Sequence, residues 1–160
     1  MRRIALLASL LLVAIPAAAA LADSPNFKSA TASGPDANGN LTINFRETGL
    51  GNTGNPVDYT ATANGDALYA CQNGGGNFPT DPKKQSATGP VSKSGTFPSG
   101  KNGNVTGSLT LNPPASTLSC PGGQHAVLAS VSYTNVQLCD TDHSVCVSIP
   151  GTFSRVFYTF

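Results

Sequence analysis

With 160 residues, a formal net charge of +1 and only 11% charged side chains, the chain has no clustered basic charge for nucleic acid or an anionic membrane surface. Asn, Ser, Thr and Gly carry its polarity, a composition poor in helix formers and suited to strands and turns. Length allows one ordinary core rather than two.

The first 22 residues read as a secretory signal peptide. Arg2 and Arg3 form the basic start, Ile4 to Ile15 the apolar run, and Ala20-Leu-Ala22 a small-residue cleavage pattern. That run is shorter than the roughly 20 apolar residues of a spanning helix. The expected mature domain, 23–160, holds seven Lys and Arg against eight acids and is read as secreted, with no membrane span.

Taken in order, Phe27 to Ala32 alternates as a first edge strand. Leu41, Ile43 and Phe45 alternate with Thr42, Asn44 and Arg46, and the strand ends at Glu47. Val57 to Ala63 and Ala67 to Cys71 show the same pattern on either side of Asn64-Gly65, the strongest short-range hairpin signal, so a type I′ turn is predicted there. Gly74 to Pro90 reads as the least ordered part, and Val91 to Phe97 as a weak strand. Val105 to Leu111 is a strand ended by Pro113-Pro114. The densest alternation runs from Ala126 to Ile149, with Val127, Ala129, Val131 and Tyr133 on one face, folding over a polar tip. Thr152 to Phe160 closes the chain as another strand. About eight or nine short strands predict an all-β fold, an antiparallel β-sandwich.

All four cysteines lie in the exported part, where an oxidising compartment favours two disulfides. Cys139 and Cys146 flank the tip Asp140 to Val145 and are expected to pair, leaving Cys71 with Cys120. The alternative of a metal site lacks any C-x-x-C spacing.

The tip unites two carboxylates, an imidazole and a hydroxyl. Asp140, Asp142 and Ser144 form a candidate weak cation contact, and Asp140, Asp142 and His143 a candidate acid/base cluster. Asp and Ser also bond their own turn backbone, and a solvated hairpin loop is the expected reading. His125, at the start of a strand, has no G-x-S-x-G serine to serve. Glu47, the only glutamate, singles out no aspartate as a partner for glycoside hydrolysis. No catalytic residue, metal or cofactor is therefore assigned.

Tyr59, Tyr69, Tyr133 and Tyr158 fall in phase with apolar neighbours and are expected in the core, with hydroxyls at its rim. The Asn- and Gly-rich loops Asn73 to Phe78 and Pro98 to Asn104 are the expected contact surface. Asn40-Leu-Thr42 and Asn104-Val-Thr106 match the N-glycosylation triplet. Val156-x-Tyr158-x-Phe160 is similar to the closing strand of outer-membrane barrels, but the proline-interrupted, aromatic-poor strands before it do not fit a barrel.

The motifs Tyr69-x-Cys71-x-Asn73-x-Gly75, Cys120-Pro-x-Gly-Gln124, Val131-Ser-Tyr-Thr-Asn-Val136 and Pro150-Gly-Thr-Phe153 together resemble a group of small exported bacterial proteins of unassigned activity. The resemblance implies export and a β-sandwich-like domain and transfers no catalytic residue. The Cys139 and Cys146 pair stands outside its usual pattern. Asp66-Ala-Leu-Tyr69-Ala-Cys71 is also similar to the Asp-x-Ala-x-Tyr-x-Cys of immunoglobulin variable domains, although the Asp is one residue too close and no core Trp exists. An immunoglobulin-like layout is thus compatible with the sequence.

The expected function is a secreted, non-catalytic binding or cell-envelope-associated module, with an envelope glycan or extracellular protein as partner. The alternative is a small extracellular hydrolase built around His125 or Asp140, Asp142 and His143. The two are separated by whether His125 meets a carboxylate and a hydroxyl in a cleft.

Overall fold

The computed structural model describes residues 24–51 and 54–160; the expected signal segment, Met1 to Ala22, lies outside them. Among the described residues there is no helix. Eight strands form: β1 (Asn26–Ser33), β2 (Leu41–Thr48), β3 (Pro56–Asn73), β4 (Lys84–Pro98), β5 (Val105–Leu111), β6 (Gln124–Asp140), β7 (Val145–Ile149) and β8 (Phe153–Val156). One sheet has the order β1-β2-β5. The other runs β4-β3-β6-β7, with β8 also paired to β6. All pairings are antiparallel, and the two inner faces share one core, as a β-sandwich requires.

Period-two patterning explains which side chains fill that core. Leu41, Ile43 and Phe45 of β2 and Val105, Leu109 and Leu111 of β5 face Val57, Tyr59, Ala61, Ala63 and Ala67 of β3 and Val131, Tyr133 and Leu138 of β6. Phe27, Phe45 and Phe97 pack around the Tyr59 ring with centroids 4.5 to 6.2 Å away, geometry that adds to the burial of the rings themselves.

The sheets are unequal. β3, β4 and β6 have 18, 15 and 17 residues against eight, eight and seven in the first sheet, so the number of strands is as expected but three of them are long rather than short. The predicted turn at Asn64-Gly65 is corrected accordingly. Asn64 pairs with both Pro90 and Thr134, and Gly65 is not among the glycines with positive φ. The glycine serves a close approach instead: a Cβ there would lie 2.8 Å from the Pro114 ring. The connection from β5 to β6 is laid over the overhang of the longer sheet at this point. Tyr69 donates its hydroxyl to Pro114 O at 2.9 Å, and Gln85 bonds Ser116 and Thr117. Cys120 is joined to Cys71 with Cα atoms 5.6 Å apart.

Gly74 to Pro90 is more regular than its composition suggests. Asn73 and Asn77 close a tight turn, and β4 has already begun at Lys84 opposite Ala70. At the other end, only Phe153–Val156 of the expected last strand is strand.

A bulge in β6 positions the candidate site. Thr62 pairs with Gln137 but Asn64 with Thr134, so β6 spends one extra residue there, and Asn135 takes φ 52°. The inward set switches from Ala129, Val131 and Tyr133 to Val136, Leu138 and Asp140. Without the extra residue Cys139 would face the core and Asp140 the solvent.

Candidate functional site

β6 and β7 form the expected hairpin, with Asp140 opposite Val145 and Cys139 opposite Cys146. The two cysteines are disulfide-bonded, with Cα atoms 4.1 Å apart. The tip is the four-residue turn Thr141 to Ser144, and Ser144 adopts φ 58°.

Asp140 points down from this turn and is fully buried. Its Oδ1 accepts the backbone N–H groups of Asp142 and His143 at 2.9 and 3.0 Å. Its Oδ2 lies 2.7 Å from His143 Nδ1, on a ring that remains partly exposed. Asp142 turns the other way and accepts the N–H of Asp58 at 2.9 Å, while Thr141 bonds Asp58 O through both its N–H and its hydroxyl. Asp140, Asp142 and Ser144 are thus divided between turn closure and docking onto β3. Among the described residues, no three His, Cys, Asp or Glu side chains are grouped to hold a metal ion.

Beneath the tip lies a residue that sequence reasoning did not place there. Glu47 reaches in from the end of β2, is fully buried, and faces Tyr59 and Asp140, which are directly opposed on β3 and β6. Neither Glu47 carboxyl oxygen nor the Tyr59 hydroxyl makes a hydrogen bond of good geometry, although the groups are close enough to act on one another. Desolvation holds the Glu47 carboxyl above its ordinary range. The Tyr59 hydroxyl eases that effect and the charge of Asp140 adds to it. Burial, reinforced by Glu47, Asp140 and Asp142, keeps the Tyr59 phenol protonated. The one available signal was Glu47 in phase with Leu41, Ile43 and Phe45, but it pointed to no partner.

His125 is exposed at the opposite end of β6, paired with Gln72. Fifteen positions separate it from Asp140, on the order of 50 Å at about 3.3 Å per residue. His125 is therefore not brought to the Asp140–His143 pair. A groove of about 690 Å³ runs beside β4 and the β5–β6 connection, and Lys93 is its only titratable lining residue.

A second grouping lies toward the His125 end of the longer sheet. Tyr158 and Phe160 are 41% and 46% exposed, and Val156 is 64% exposed, which corrects the expectation that Tyr158 belongs to the core. Phe78 packs against Tyr158 and Phe160 at centroid distances of 5.1 and 4.9 Å, and Lys84 Nζ sits 4.5 Å above the Phe160 ring. Backbone bonds from Phe157 and Tyr158 to Ala129 O anchor the segment to β6. Phe78 belongs to one loop expected to make contacts; Tyr158 and Phe160 were missed because their alternation imitated a buried strand. Comparison with protein-family models, curated proteins and solved structures finds no match.

Proposed function

We propose that this is a secreted, disulfide-stabilised binding module that acts without catalysis, engaging an extracellular partner through Phe78, Tyr158, Phe160 and Lys84. The observation carrying this reading is the gathering of exposed Tyr158 and Phe160 with half-buried Phe78 into one patch under a cation. Aromatic residues are enriched where proteins bind one another. The rings meet edge-on or tilted rather than lying coplanar, which favours a protein partner over the flat platform a glycan ring needs.

Two disulfides are typical of chains that mature in an oxidising compartment, in keeping with export of the kind seen in the small bacterial proteins this chain resembles. The strand order supports an immunoglobulin-like layout. First, second and fifth strands form one sheet and third, sixth and seventh the other, with the fourth strand moved beside the third.

The test compares the folded domain with a Phe78→Ser/Tyr158→Ser variant for binding to secreted proteins and to isolated cell-wall glycan. Retention of a secreted protein, weakened at least tenfold in a variant with unchanged melting temperature, is expected. Equal retention by the two forms, or release of hydrolysis products from either material, overturns the reading.

A further inference from the structure

Glu47 has little beyond the nearby Tyr59 hydroxyl to stabilise a negative charge. Both of its oxygens are unbonded and the side chain is fully buried. The groups packed around it come from every neighbouring element. β1 brings Phe27 and β5 brings Val105; Lys28, next to Phe27, is exposed. β3 brings Tyr59, and β6 with its tip brings Asp140 and His143. Asp142, farther out, acts on Tyr59. Among the described residues, no lysine or arginine acts on the Glu47 carboxyl. The one nearby group able to carry positive charge, His143, is already engaged at 2.7 Å with Asp140.

The two carboxyls therefore hold unequal positions. Asp140 offers acceptors to two backbone N–H groups and to His143. Glu47 has only the Tyr59 hydroxyl close enough to ease its charge, and a carboxylate so poorly supported is costly enough that it takes up a proton instead.

We propose that Glu47 and Asp140 form a one-proton site between the two sheets, whose occupancy latches the disulfide-stapled tip onto the first sheet. With the proton in place, Glu47 packs as a neutral side chain against Tyr59. Loss of that proton sets two negative charges against each other across the sandwich, and the hinged unit is the hairpin end, which the Cys139–Cys146 bond keeps whole. The tip then lifts from its contacts with Asp58 and admits water to the ionised pair.

The test is a pH titration of the Glu47 side-chain carboxyl carbon by NMR, run with hydrogen exchange of the Thr141 to Val145 amides. The expected result is a Glu47 transition above 4.5, the ordinary value. Tip protection, corrected for intrinsic exchange, should fall at least tenfold through the same transition and stay constant in Glu47→Gln. If that variant does not fold, Tyr59→Phe serves instead and should move the transition to higher pH. A transition at or below the ordinary value, tip protection indifferent to it, or an unmoved transition in Tyr59→Phe overturns the proposal. So does a millimolar calcium effect on the Glu47 carbon, which marks a cation site in place of a proton site.

Discussion

Pro114 occupies the space above Gly65, so that a Cβ on Gly65 would lie 2.8 Å from both the Cγ and the Cδ of its ring. The contact seats the β5–β6 connection on the middle of the longest strand, where Tyr69 also bonds Pro114 O.

Gly65→Ala should therefore destabilise the domain by about 1–3 kcal/mol, the range for forcing a methyl group into a filled interior. Its backbone is not at positive φ, so the effect comes from displacing Pro114. Chemical denaturation checks this, and the cost should shrink in a Gly65→Ala/Pro114→Ala double variant.

The two disulfides should differ in value. Cys71 and Cys120 are 49 positions apart and Cys139 and Cys146 seven. The chain-entropy model values loops of these sizes at about 4 and about 2.5 kcal/mol. Paired Cys→Ser replacements followed by thermal melting should show the larger loss for the long bridge.

Tyr133 donates a buried hydrogen bond to Gly39 O at 2.7 Å, and burial keeps its phenol protonated. Tyr133→Phe removes that donor and leaves a carbonyl to be resolvated, a loss of about 1 kcal/mol. Urea denaturation should report it with little change in slope.

Stability should fall with rising pH over the range set by Glu47. Below its ordinary value of 4.5 the folded and unfolded chains both hold the proton, and the contribution is fully present. Above it the unfolded chain releases a proton that the folded chain retains. Stability then declines by about 1.4 kcal/mol per pH unit until the raised folded value is passed. Asp36, whose carboxyl is lowered first by the backbone N–H of Asn40, acts in the opposite direction at pH below 3.8. Denaturation midpoints from pH 4 to 8 should show the decline in the wild type and its absence in Glu47→Gln.

Much of the sandwich was legible because alternation and burial share one period: Leu41 to Phe45 and Val105 to Leu111 face the core as read, as do Val131 and Tyr133, whereas Leu128 packs there in place of Val127. The cysteines were legible because the tip between Cys139 and Cys146 is short enough to bring them opposite each other. Asn64-Gly65 misled because the same dipeptide suits a turn and a close approach, although the odd-numbered alternation runs unbroken from Val57 to Ala67. Asp140 was read as solvated because no residue type announces the bulge at Asn135. Glu47 had to wait for the fold, since its meeting with Asp140 joins strands more than 90 positions apart.

The mismatch in strand length gives the molecule two kinds of interior. One is built of sheet against sheet, where every substitution must fit the pleat of both partners. The other lies under the overhang of β3, β4 and β6, roofed by an irregular connection and riveted at Cys120. A roof without a register of its own can be relaid in sequence and length while its fixing point and its seat on Gly65 are kept. A foreign loop grafted between Ala115 and Ser119 should therefore leave the sandwich intact at the cost of the Gln85 contacts to Ser116 and Thr117.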